Sequence, residues 1–307
     1  MADDIISEAD RAARSGDYIV RGTAAYGTVR AFGITARQTV QTARDDHQAS
    51  PLVTVALGRL LMAGQMMGVM LKGADELITL MIRGDGPIRG LTVTANTSGQ
   101  AKGYAAVNDA VLPASAPNPL KVGAGIGSGT LTVIRDQPGI EPYTSQVDLT
   151  TGEIGDDLTN YFYTSDQVPT SVGLGVLVSP DGTVRQAGGF IVQLMPGYDD
   201  ETVDCLEANL KQITSITSML EQGLTPTQIL QLVLAGLSYD ELDATPVEFH
   251  CDCSKERTKR AVAALGADTL REMVEQDQPA EVVCQFCGKH HVLSVDDLKE
   301  LLDQSQA

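Results

Sequence analysis

Four cysteines near the end of the chain carry its most legible chemistry. They are Cys251-Asp252-Cys253 and, thirty residues on, Cys284-Gln285-Phe286-Cys287, with Gly288 next. Each closely spaced pair supplies two thiolates from one turn, and the insert folds the pairs together into a tetrahedral four-sulfur site. Soft donors in a reducing compartment favour zinc, one ion per chain. Zinc ribbons more often use C-x-x-C twice with a shorter insert, so the C-x-C half sets this site apart. Four thiolates close the coordination sphere. That argues against a metalloenzyme, which needs an open position.

Spacing leaves two roles open. Zinc-bound thiolates remain nucleophiles and react with peroxide. A C-x-x-C pair closes a disulfide readily, whereas the C-x-C ring is smaller, strained and easily reduced. Two such pairs can lose their metal by forming two local disulfides, and an inert structural staple fits the same spacing. In either case the metal matters. A module of about 70 residues has a marginal core, and a structural zinc contributes roughly 10–16 kcal/mol of apparent folding free energy. Native stability is typically only ~5–15 kcal/mol, so losing the metal unfolds the module and frees whatever packs against it.

The elements that position this site follow from periodicity. Residues 17 to 178 read as strand-rich mixed α/β structure, with strands at Glu76–Arg83, Gly90–Thr94, Gly129–Arg135 and Tyr143–Leu149. Val176-Leu177-Val178 and Phe190-Ile191-Val192 flank a hairpin turn at Asp181-Gly182. From Asp199 to Glu221, apolar residues three or four apart mark one amphipathic helix ended by Gly223. Thr225-Pro226-Thr227-Gln228 is a capping box opening a helix to Leu237. Ser238-Tyr239-Asp240-Glu241 resembles another box, Thr269 and Glu272 a third, and Ser294-Val295-Asp296-Asp297 the start of a last helix. The expected fold class is α/β (α+β). A core domain spans 1–178, a mostly helical linker 179–236 and a small zinc-binding C-terminal domain 237–307.

Composition narrows the function classes. The chain of 307 residues is 43% hydrophobic and 20% charged, which reads as globular. A net charge of −18 weighs against binding nucleic acid or anionic membrane. Five Phe, eight Tyr and no Trp leave little to stack bases on. Met1 to Glu8 has no basic or apolar signal region, and the apolar run Pro51 to Leu71 is interrupted by Arg59, Gln65 and three glycines. That run reads as a buried helix opened by Ser50, and the protein as cytoplasmic.

With these residues in place, the whole chain resembles the redox-regulated heat-shock chaperone family, the 33 kDa chaperonin. The likeness runs from Asp17-Tyr18-Ile19-Val20-Arg21-Gly22-Thr23 through Pro119-Leu120-Lys121-Val122-Gly123 and Tyr161-Phe162-Tyr163-Thr164-Ser165-Asp166-Gln167 to Ala187-Gly188-Gly189-Phe190-Ile191-Val192-Gln193. The pattern Phe249-His250-Cys251-Asp252-Cys253 and the final C-x-x-C-G are its most specific part. The resemblance implies an ATP-independent holdase with no enzymatic activity, inactive while Cys251, Cys253, Cys284 and Cys287 hold zinc. Under oxidant and heat it implies disulfides Cys284–Cys287 and then Cys251–Cys253, zinc release, loss of structure in tail and linker, and capture of unfolding client proteins. It also implies a homodimer in the active state. One departure is Lys289-His290-His291-Val292-Leu293, where His and Leu stand at positions usually aromatic.

The remaining candidates read as structural. Cys205 is a small, partly buried hydrophobe, and Met62, Met66, Met67 and Met70 are core. His250, His290 and His291 flank the cysteine pairs without being needed as ligands. Lys255, Arg257, Lys259 and Arg260 read as one solvated helix face, since residues 247–307 hold seven basic and twelve acidic residues. The glycines from Gly123 to Gly129 fit no phosphate loop and read as tight turns. No Ser/His/Asp triad is readable. The alternative to a redox-switched holdase is a constitutive, zinc-stapled interaction module.

Overall fold

The computed structural model describes residues 14–305 apart from 114 and 119, so the opening Met1 to Glu8 lies outside the described residues. The chain forms two units, Met1–His250 and Cys251–Ala307. The first begins with β1 (Tyr18–Ala24), β2 (Val29–Thr35), α1 (Arg37–His47) and α2 (Pro51–Gly68). Then come β3 (Leu77–Gly84), β4 (Gly90–Asn96), β5 (Gln100–Ala105), α3 (Val122–Ile126), β6 (Gly129–Asp136), β7 (Tyr143–Asp148) and α4 (Gly155–Thr164). The hairpin β8 (Thr170–Val178) and β9 (Val184–Leu194) leads to α5 (Asp200–Leu210), α6 (Ile216–Glu221) and α7 (Pro226–Val233). Strands β10 (Asp240–Pro246) and β11 (Glu248–Phe249) close the unit.

Two sheets result, ordered β10-β1-β2-β9-β8 and β11-β5-β4-β3-β6-β7. Between them runs α2, on which every residue except Pro51 and Arg59 is buried. Ser50 caps it, accepting from the Val53 N–H, and Pro51 occupies its first turn. Glycines let it approach both sheets: a Cβ on Gly64 would sit 2.8 Å from Val93 of β4, and one on Gly58 3.1 Å from Val176 of β8. The apolar run is therefore a core helix. Met62, Met66 and Met67 are buried in it, and among the described residues no helix is long and apolar enough to cross a membrane.

The five-stranded sheet is covered on both faces. Ile19, Phe32, Ile34 and Ile191 face α1 and α2. Tyr18, Val20, Ala31, Phe190 and Val192 face a second cluster with Leu206 of α5, Ile216 and Leu220 of α6, and Ile229, Leu230 and Val233 of α7. Burial on both faces is why Phe190-Ile191-Val192 is an unbroken apolar run with no polar alternation.

Several local expectations change. Asp199–Glu221 is two helices, because Ser215 caps α6 by accepting from Ser218 N and so interrupts the period. Residues 179–236 hold β9 as well as helices. The box read at Ser238–Glu241 is no helix start: Ser238 has φ +52°, and β10 pairs antiparallel with β1 from Thr23↔Asp240 to Tyr18↔Pro246. The glycine-rich stretch forms α3 before the Gly127 turn. The capping box at Thr225 forms as expected, with both reciprocal bonds.

The second unit contains α8 (Lys255–Ala263), α9 (Ala267–Glu275), the hairpin β12 (Ala280–Val283)/β13 (His290–Leu293) and α10 (Val295–Ser305). Gly266, not Thr269, precedes α9, and no side chain caps it. Among the described residues its buried hydrophobic cluster is five residues: Val262, Leu270, Leu293, Leu298 and Leu301.

Candidate metal centre

The β12/β13 hairpin presents Cys284 and Cys287 at its tip. Cys284 N–H donates to the Lys289 carbonyl at 2.9 Å, and Gly288 N–H donates to the Cys284 carbonyl at 2.8 Å. Gly288 takes φ +66°, a left-handed value suited to glycine, which completes the knuckle. Cys251 and Cys253 lie on the extended stretch before α8. Ser254 ends that stretch by accepting from Arg257 N at 3.2 Å.

The four sulfurs lie within 4.8 Å of one another. Cys251 Sγ is 3.7 Å from Cys284 Sγ, and Cys253 Sγ is 3.4 Å from Cys287 Sγ. A tetrahedron with metal–sulfur bonds of about 2.3 Å has edges of about 3.8 Å, so the donor set fits a single ion. The closest approaches run across the two sequence pairs. Each pair thus contributes one sulfur to each contact, as ligands shared by one centre do.

Three of the four thiols resist ionising on their own. Burial pushes the Cys251 and Cys287 thiols up to about 11 and raises Cys253 as well. Burial also acts to raise Cys284. The Phe286 N–H, the neighbouring sulfurs and the Cys287 N–H outweigh it and bring that thiol below its ordinary value. A bound cation would let all four ionise.

His291 Nε2 lies 3.3 Å from Cys253 Sγ, outside the sulfur quartet, while His290 Nδ1 pairs with Glu281 at 2.7 Å. Cys205 is half-buried on α5 of the first unit, with its Sγ 3.3 Å from the Ala235 carbonyl. The basic cluster is a solvated helix face at Lys255, Arg257 and Arg260, as expected, with Lys259 half-buried, and it is also paired with acidic partners. Lys255 and Lys259 reach Asp297 of α10 at 2.6 and 2.7 Å, Lys259 also reaches Glu300 at 3.0 Å, and Arg257 pairs with Asp252. Lys255 and Lys259, with the Ser294 N–H, hold Asp297 well below the usual carboxylate range. These ion pairs fasten α8, which follows the first cysteine pair, to the last helix. Sequence showed the acidic residues of α10 only as the start of a helix.

Comparisons with known proteins cover nearly all of the chain. The family described as Hsp33 protein matches residues 17–294. The 33 kDa chaperonin of Agathobacter rectalis is 50% identical over 285 residues, covering 93% of this chain and 99% of that protein. The 33 kDa chaperonin of Bacillus subtilis is 42% identical over 290 residues, covering 94% and 99%. Among solved structures, the crystal structure of the 33 kDa chaperonin (heat shock protein 33 homologue) from Thermotoga maritima superposes with a TM-score of 0.85 at 34% identity. That match covers 94% of this chain and 98% of the other.

Proposed function

The chain belongs to the Hsp33 family, and from that premise we propose that it is an ATP-independent holdase switched by the oxidation of its four clustered thiols. In the resting state Cys251, Cys253, Cys284 and Cys287 hold one zinc ion, which supplies the cross-link that a five-residue core lacks. The observation carrying this reading is the closed four-sulfur cluster. It leaves no vacant position for a substrate, and its thiols remain chemically reactive.

With peroxide as oxidant, Cys284 and Cys287 form one S–S bond, and Cys251 and Cys253 form the second. Each pair of thiolates passes two electrons to one peroxide, which takes up two protons from solvent and leaves as two waters. Once in disulfides, these sulfurs are no longer thiolate ligands, and the second unit loses a contribution comparable with its whole stability.

The architecture of the first unit supports a route to client binding. Chain order runs from α5–α7 through β10 and β11 directly to Cys251. Strand β10 holds α7, because Thr227 Oγ1 donates to Glu241 Oε2 at 2.6 Å. Helices of six to eleven residues are marginal on their own. When order is lost from Cys251 back through β10, α5–α7 separate from the sheet and expose Phe190, Val192 and Val20. That apolar face binds unfolding proteins in the reducing cytoplasm under oxidative stress, and the activated chain pairs with a second copy.

Zinc release and free thiols, followed together during peroxide treatment at elevated temperature, test the switch. The reading expects one zinc released and four thiols lost per chain. A chain that keeps its zinc while it binds clients is instead a constitutive, zinc-stapled module.

A further inference from the structure

We propose that the cleft at the C-terminal end of α2 binds a carboxylate carried on an apolar body, with Arg30 as its anchor. The cleft encloses about 580 Å³ between elements of the two sheets of the first unit. That volume lies within the range of small-ligand sites. The inference does not depend on the redox reading.

Arg30 on β2 stands opposite Gln193 on β9. Gln193 is 1% exposed, and its Oε1 accepts from Arg30 Nε at 3.2 Å and from Nη2 at 2.6 Å. Its own amide donates to Thr170 Oγ1 at 3.1 Å, which fixes which end faces the guanidinium. The Phe32 ring centroid lies 5.7 Å from Arg30 Cζ. These contacts hold the fork in place without neutralising it. Among the described residues no carboxylate pairs with Arg30, and the charge acting on it is Arg21, of the same sign. Arg30 is half-buried, and even partial burial of an uncompensated cation is costly. Nη1 and the second Nη2 hydrogen are left for a ligand, the pair that binds a carboxylate end-on with two bonds.

The rest of the cleft selects the ligand. Met67, Met70, Leu71, Ile78 and Phe162 form an apolar wall. Arg135 is already paired with Asp166, and Lys72 and Glu76 add one charge of each sign to the lining. With Arg135 offset by Asp166 and Lys72 by Glu76, the charge of Arg30 is the one left over, which suits a single anionic group better than a polyanion. A single carboxylate on an apolar body places its charge at Arg30 and its body on the wall. Such a ligand is a free fatty acid or the carboxyl end of an apolar peptide.

Calorimetric titration of the full-length, reduced, zinc-loaded chain tests this. Octanoate is compared with octan-1-ol, which lacks the charge, and with inorganic phosphate, which lacks the apolar body. N-acetyl-dileucine is titrated beside octanoate, and the tighter of the two names the source. Saturable one-to-one octanoate binding is expected, at least about tenfold weaker in Arg30→Gln and partly retained in Arg30→Lys, because a charge-assisted bond is lost. On the wild type, octanoate is expected to shift the Arg30 side-chain NMR resonance, a readout that needs no variant to fold. Equal binding of octan-1-ol or phosphate, no loss in Arg30→Gln, or an unmoved Arg30 resonance at saturation would overturn the proposal.

Discussion

Thr227, in the first turn of α7, donates its hydroxyl to Glu241 of β10 at 2.6 Å, and the same carboxylate accepts from Arg14 and from the Tyr239 hydroxyl at 3.4 Å. One largely covered carboxylate thus ties a covering helix to the strand that leads on to the four-cysteine cluster. Glu241→Gln removes the charge that strengthens these bonds, at a cost of about 1–3 kcal/mol to the docking of α7. The expected result is activation at lower temperature under a fixed peroxide dose, read as earlier proteolysis between α5 and α7. An unchanged threshold would show that this carboxylate does not restrain the helix.

Gly33 sets how closely α7 lies on the sheet. A Cβ there would sit 3.1 Å from both Leu230 Cγ and the Pro226 carbonyl. Gly33→Val forces that contact apart at a helix whose Ile229, Leu230 and Val233 are fully buried. Overpacking of this kind costs typically ~1–3 kcal/mol. The reduced variant should bind an apolar dye that the reduced wild type excludes, and α7 amides should exchange faster. Dye binding and exchange identical to wild type would place the apolar reservoir elsewhere.

Much of this was legible because the signals are local. The cysteine spacing, the Thr225 capping box, the Ser50-Pro51 helix start and the Asp181-Gly182 turn each lie within a few residues, and each takes the form its chemistry dictates. What sequence hid depends on long-range partners. Strand β10 adds to β1 some 220 residues away in the chain, and as an edge strand it lacks a clean alternation. Its Ser238-x-x-Glu241 spacing therefore imitated a capping box, while Glu241 in fact serves Arg14 and Thr227. The pairing of Lys255 and Lys259 with Asp297 and the seat of Arg30 on Gln193 are likewise contacts between distant segments. No window of residues contains them.

Replacing Cys284 and Cys287 together with Ser leaves two of the four proposed ligands. Loss of stoichiometric metal is expected, together with loss of amide protection over residues 251–305, since the metal contributes roughly 10–16 kcal/mol in such modules. Hydrogen exchange of the double variant checks this. A protected second unit without metal would show that Val262, Leu270, Leu293, Leu298 and Leu301 suffice.

Metal affinity should depend steeply on pH. With Cys251 and Cys287 pushed up to about 11 and Cys253 also raised, at least these three thiols carry protons at neutral pH. Binding the ion displaces those protons, so affinity and the stability it confers rise with pH and fall as pH drops. Competition with a chelator between about pH 6.5 and 8 should give roughly three to four decades of affinity per pH unit. A slope near zero would mean the thiols are already ionised.

The central claim is that oxidation of the four-sulfur centre turns client binding on. Light scattering from a heat-unfolding client protein, without ATP, tests it most directly, comparing the reduced zinc-loaded chain with the same chain treated with peroxide at elevated temperature. Suppression of scattering by the oxidised sample alone is the predicted result. Equal suppression by both samples, or by neither, would contradict the account.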